Sequence, residues 1–131
     1  MYGSPWQPEF CNWAFNLPHN GKELESHWQA IPNDVDVLIT HGPPFGVLDR
    51  NSSGMPCGCE LLAKEIEERI KPQLHIFGHL HEGYGIACRG KTLYINASTC
   101  TLNYRPTNPP IVIHVPYDRN IAPIVLPFTS Q

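Results

Sequence analysis

Fourteen prolines and ten glycines punctuate this 131-residue chain, so 24 positions resist long helices and central strands. Its elements must be short and joined by long, shaped loops. A chain of 14.8 kDa makes one domain, and at this size it buries roughly two-thirds of its surface, enough for a core without disulfides. Hydrophobic residues at 41% and charged residues at 16% exclude disorder driven by charge. The net charge of −3 and pI near 6.1 argue against a binder of nucleic-acid polymers, which needs a basic face. No apolar run reaches the roughly 20 residues of a membrane span. The opening Met1-Tyr2-Gly3-Ser4-Pro5-Trp6 has neither a basic leader nor an apolar stretch. With Cys11, Cys57, Cys59, Cys88 and Cys100 odd in number, the expected compartment is the reducing cytoplasm.

Residues 1–19 are aromatic and proline-studded without a clean period, and read as an irregular, packed segment. Asn20 followed by Glu23 reads as a capping box, opening a helix on Leu24, Trp28 and Ile31 that Pro32 stops. Val35 to Thr40 reads as a buried strand. Cys59, Leu62, Ala63, Ile66 and Ile70 mark one face of a second helix, supported by Glu60–Lys64, Glu65–Arg69 and Glu67–Lys71 at (i, i+4). Leu74 to Phe77 is a short strand, and Tyr84–Cys88 with Thr92–Asn96 forms a hairpin around Arg89-Gly90-Lys91. Ile111–Val115 and Ile121–Leu126 add two strands, the last at an edge because of Pro123.

Strand 35–40, helix 59–71 and strand 74–77 make a crossover unit, which favours parallel neighbours. Ligands bind such sheets beyond the carboxyl ends of the strands. His41 follows the first strand, and His79 and His81 follow the second, so three imidazoles share one rim with strands about 5 Å apart. By spacing alone these are equally metal ligands or ordinary rim histidines. His19, His27 and His114 read as surface or packed residues, and His75 lies within its strand, roughly 13 Å of extended chain from His79. Cys57-Gly58-Cys59 lacks the spacing of zinc knuckles. Trp6, Phe10 and Trp13 read as loop packing or, alternatively, as the wall of a base-binding pocket. Arg50, Arg89 and Arg105 are ordinary exposed arginines or phosphate partners.

Thr40-His41-Gly42-Pro43-Pro44 and Phe77-Gly78-His79-Leu80-His81-Glu82-Gly83-Tyr84-Gly85 resemble the last two motif blocks of the calcineurin-like metallophosphoesterases. Gly3-Ser4-Pro5-Trp6 and Tyr94-Ile95-Asn96-Ala97-Ser98 are similar to the small branch called metallophosphoesterase domain-containing proteins. The resemblance implies an α/β chain forming the C-terminal half of a four-layer α/β/β/α sandwich, with residues 1–131 as one partial domain. It implies that His41 and His79 share one metal while His81 binds its neighbour. Two ions (Mn, Fe or Zn) would then drive hydrolysis of a phosphodiester or phosphomonoester, such as a cyclic nucleotide.

The family's earlier Asp-x-His, Gly-Asp and Gly-Asn-His blocks have no counterpart here. Of the aspartates 34, 36, 49 and 118, Asp36 lies roughly 16 Å of strand from His41, and only Asp49, in a loop, is free to approach. At most one ion is therefore expected in this chain, with no catalytic group beyond His41, His79 and His81 as ligands. An inactive interaction module and a mononuclear three-histidine site are the competing readings. An uncovered sheet face would also promote self-association.

Overall fold

A computed structural model describes residues 1–128. The expected strand at 35–40 forms as β4 (Val37–Thr40) and the one at 74–77 as β5 (Leu74–Phe77), paired in parallel with Leu38 opposite His75. Between them runs α2 (Glu60–Glu65), whose last turn widens into a π-helical segment, Ile66–Ile70. The Lys71 amide reaches back five residues to the Ile66 carbonyl. That extra residue breaks the (i, i+4) spacing of Glu67 and Lys71, and Glu67 pairs instead with Arg89 at 3.0 Å. Glu65–Arg69, lying closer to the regular turn, forms at 2.6 Å.

Residues 1–19 are more ordered than their sequence promises. Tyr2–Ser4 forms β1, a parallel partner of β4, while β2 (Gln7–Pro8) and β3 (Asn16–Leu17) make a separate two-stranded pair. Three residues carry too little periodicity to announce a strand, and β1 is held by its neighbour's edge. The hairpin β6 (Gly85–Arg89) and β7 (Thr92–Asn96) completes a five-stranded sheet of order β1-β4-β5-β7-β6, parallel except for β6. The strands β8 (Val112–His114) and β9 (Ile124–Leu126) pair only with each other, as a separate two-stranded ribbon.

The first helix, α1 (Lys22–Gln29), starts one residue later than the capping box implied. Gly21 is its N-cap, without a side-chain bond, because Asn20 takes a left-handed φ of 55°. Its other end is tied to α2 by Arg69, which donates to the carbonyls of Trp28 at 3.0 Å and Ile31 at 2.6 Å. A cation there satisfies orphan carbonyls and complements the helix dipole.

Both sheet faces are apolar. Leu38, Phe77 and Tyr94 bury against Leu24, Trp28, Leu62, Ile66 and Ile70 of the helices. On the other face Leu74, Leu93 and Ile95 meet Ile111, Ile113 and Val115. One register row there is Ile39, Ile76, Ile95 and Ile86, whose outer members are 37% and 42% exposed. The chain is thus a mixed α/β sheet with helices on one face, and its other face is partly open. Leu62 is almost wholly buried, so Leu62→Ala should cost about 2–5 kcal/mol of stability, measured by urea unfolding. A change under about 1 kcal/mol would show that α2 is not docked on the sheet.

Candidate metal centre

Parallel pairing brings the carboxyl ends of β4 and β5 side by side, and the residues just beyond them converge. The Gly78 amide donates to the His41 carbonyl at 2.9 Å, extending the ladder by one rung. His41 Nε2 and His79 Nδ1 then stand 3.1 Å apart, one nitrogen donating to the other. His79 holds a left-handed φ of 68°, and the Leu80 amide closes over it onto the Gly78 carbonyl at 2.8 Å. A non-glycine γ-turn of this hand is rare and strained, and such strain gathers at functional sites.

The turn is held from below by β7. The Leu80 carbonyl accepts from buried Asn96 Nδ2 at 2.8 Å, Ser98 Oγ at 3.3 Å and the Gly83 amide at 3.1 Å. Asn96 Oδ1 in turn accepts from the Ser98 amide at 3.1 Å. Gly83 is required here, because a Cβ would lie 2.3 Å from the Leu48 carbonyl oxygen.

His81 is anchored separately from the His41–His79 contact. Its Nδ1 lies 3.0 Å from the Thr101 carbonyl oxygen, and Tyr104 packs edge-on against its ring. A carbonyl only accepts, so His81 Nδ1 carries a proton and donates it to Thr101, which leaves Nε2 as the ring nitrogen available to a ligand. Carbonyl-anchored imidazoles of this tautomer are the usual form of metal-ligating histidines. Burial lowers the pKa of His41. His79 is lowered first by burial and then by the charges of His41 and His81, against the opposing pull of Glu82. Both rings are therefore neutral and competent to ligate at pH 7.

Two ring nitrogens bound to one ion at about 2.1 Å stand about 3.0 Å apart at an octahedral angle and about 3.4 Å at a tetrahedral one, and the 3.1 Å of the His41–His79 pair lies within that span. Among the described residues, however, no three His, Cys, Asp or Glu side chains converge on one point. The aspartates are engaged or distant. Asp49 is buried, its Oδ2 accepting from the Gly46 amide at 2.8 Å and the Gly58 amide at 3.1 Å, which fixes the loop after His41. Asp36 pairs with Arg119 at 2.8 Å, Asp118 accepts from Asn120, and Asp34 is exposed.

The three aromatic residues considered together in the sequence separate. Trp6 stacks on His27, whereas Phe10 and Trp13 stand edge-on to His79 with centroids at 4.8 and 6.3 Å. A cavity of about 240 Å³ opens there, bounded by Pro8, Phe10, Pro43, His79 and Leu80. His19 borders it with Nε2 on the Glu9 carbonyl, and His114 is exposed in β8. All five cysteines are free, and Cys59 serves as the buried N-cap of α2. Asn96, Ser98 and Thr101 support the rim without any spacing in the sequence that marks them as site residues; the one cue is Asn96-Ala97-Ser98 at the end of a strand adjoining β5.

No family profile matches the chain. It is 54% identical over 121 residues, 92% of its length, to "Metallophosphoesterase domain-containing protein 1" of Homo sapiens, and equally to the protein of that name from Mus musculus. A UPF0046 protein of Caenorhabditis elegans is 44% identical over 88% of the chain. The chain spans 37% of the length of the first two relatives and 29% of the third.

Proposed function

We propose that this chain, a member of the metallophosphoesterase domain-containing group over the 121 residues it shares with the human protein, supplies one side of a metal-dependent phosphoester hydrolase centre. The observation that carries this reading is the 3.1 Å approach of His41 Nε2 to His79 Nδ1 at the strand ends. His41 and His79 would hold one divalent ion (Mn, Fe or Zn), and His81 would offer Nε2 to a neighbouring one. Ions bound there would supply Lewis acidity toward phosphoryl oxygens and lower the pKa of an attacking water. The chain's own part is to keep His41 and His79 neutral by burial, anchor His81 through Nδ1 and limit water on the Phe10 side. The four-layer sandwich belongs to this proposal, with the open isoleucine face as the place for a second sheet.

The substrate is a phosphodiester or phosphomonoester small molecule. The half-exposed rings of Phe10 and Trp13 beside His79 suit a planar group such as the base of a cyclic nucleotide. Free cysteines suit a cytoplasmic setting. Among the described residues no helix is long and apolar enough to cross a membrane. A single ion held by His41 and His79 is favoured for the 131 residues alone, since among the described residues no third His, Cys, Asp or Glu joins that pair.

Metal analysis after dialysis against Mn²⁺ or Zn²⁺ tests the proposal. The chain should retain at most one ion, His41→Ala and His79→Ala should each weaken binding by about 100-fold or more, and His114→Ala should leave it unchanged. Two tightly held ions per chain, or equal losses in all three variants, would overturn the ligand assignment.

A further inference from the structure

His75 is fully buried in β5, between the rings of Phe77 and Tyr94 on the helix-facing side of the sheet. Its Nε2 lies 2.9 Å from Thr40 Oγ1, and Thr40 Oγ1 lies 2.7 Å from the Gly42 carbonyl oxygen. The directions of these bonds are fixed. A carbonyl only accepts, so the Thr40 hydroxyl donates to Gly42. The hydroxyl oxygen must then accept from His75, which places the imidazole proton on Nε2. His75 Nδ1 is left with a lone pair and no hydrogen-bond partner.

A buried polar atom without a partner calls for a compensating role. A phenylalanine or leucine would fill the same space between two aromatic rings without that penalty. The one polar interaction of the ring is to the hydroxyl that bridges residues 40 and 42, the two neighbours of His41. The Gly78 amide holds the His41 carbonyl itself. The backbone on both sides of the imidazole-bearing residue is therefore pinned, on one side by the β5 extension and on the other by Thr40.

We infer that His75 and Thr40 are positioning residues: the ordered chain from His75 Nε2 through the Thr40 hydroxyl to the Gly42 carbonyl sets the backbone of His41 and hence its reach toward His79. His75 stops the Thr40 hydroxyl from rotating away, and the hydroxyl stops the glycine-proline loop from carrying His41 off the rim. The inference rests on the reading of His41 as a metal ligand.

The test uses the 131-residue chain and Zn²⁺ titrated by calorimetry, with thermal melts and circular dichroism alongside. Thr40→Val keeps the shape and removes the hydroxyl, Thr40→Ser keeps the hydroxyl, and His75→Phe keeps the packing and removes the N–H. Thr40→Val and His75→Phe should each weaken Zn²⁺ binding about 10- to 100-fold, the usual effect of losing a group behind a ligand. Thr40→Ser should stay within about threefold of the parent chain. A merely structural role would move the melting temperature and leave the affinity of the folded protein alone. If His41→Ala binds Zn²⁺ as tightly as the parent, the ligand reading fails. If His41→Ala loses binding while folded Thr40→Val and His75→Phe keep it, the positioning inference fails by itself. Nitrogen-15 spectra of the unaltered, metal-free chain supply a check that no folding defect can spoil. His75 should be neutral with its proton on Nε2, and a proton on Nδ1 would overturn the relay.

Discussion

Supplied with Mn²⁺ and a chromogenic phosphodiester, the 131-residue chain alone should turn over at least about 10²–10³-fold more slowly than the same chain mixed with a segment carrying Asp-x-His, Gly-Asp and Gly-Asn-His blocks. The chemical reason lies at the rim. Three imidazole nitrogens carry no negative charge and cannot bridge two ions, while Asp49 is spent on two backbone amides in the loop beside it. Water would then be neither strongly activated nor held in line with phosphorus. The physical reason lies on the open face. The row Ile39, Ile76, Ile95 and Ile86 crosses four strands, with its two ends partly in water. A parallel sheet is normally covered on both faces, so this row should draw the chain into self-association until a partner covers it. Light scattering and the rate assay are read together on the same samples. Full activity from a monomeric chain without the added segment would refute the proposal.

Acid should unfold the chain early, and His75 should account for much of the slope. Burial pushes this imidazole down from 6.5 to about 3. In the folded protein it stays neutral while the unfolded chain takes up a proton below 6.5. The unfolded state therefore binds more protons between those limits, and stability is lost as pH falls from 6.5 toward 3. The loss approaches about 1.4 kcal/mol per pH unit, or about 2 kcal/mol by pH 5. His41 and His79, also lowered by burial, act in the same direction. The comparison is consequently between the parent and His75→Phe, by urea unfolding at pH 7, 6 and 5. The variant should lose less stability on acidification, and parallel curves would mean that His75 is not buried as a neutral ring.

The parts of this fold that speak in the sequence are those with a period. Leu62, Ile66 and Ile70 repeat on one helical face, and two apolar runs flank that helix, so the parallel crossover follows from chain order. The hairpin around Arg89-Gly90-Lys91 is equally local. β1 is silent because three residues hold no period and gain their strand geometry from β4. The widened last turn of α2 is silent too, since the bond from the Lys71 amide to the Ile66 carbonyl leaves no mark in the residue pattern. At the rim, His41 and His79 could be placed by counting from strand ends. The direction of His81 could not, because it depends on a carbonyl 20 residues further on. The distance of His75 from His79 along its strand bears on ligation and says nothing of the hydrogen bond made sideways to Thr40.

The three bonds converging on the Leu80 carbonyl carry a lesson for anyone building such a centre elsewhere. Gly78-His79-Leu80-His81 does not hold its own shape: the knot at its middle is tied by Asn96 and Ser98 from a different strand. Grafting the four residues alone onto a foreign sheet would deliver two imidazoles on a floppy tether. The portable unit is three adjacent parallel strands, one leading into His41, one into His79 and His81, and one into Asn96-Ala97-Ser98, with Gly83 leaving room where the loop after His41 crosses. A designer who moves the three strands together moves the geometry with them.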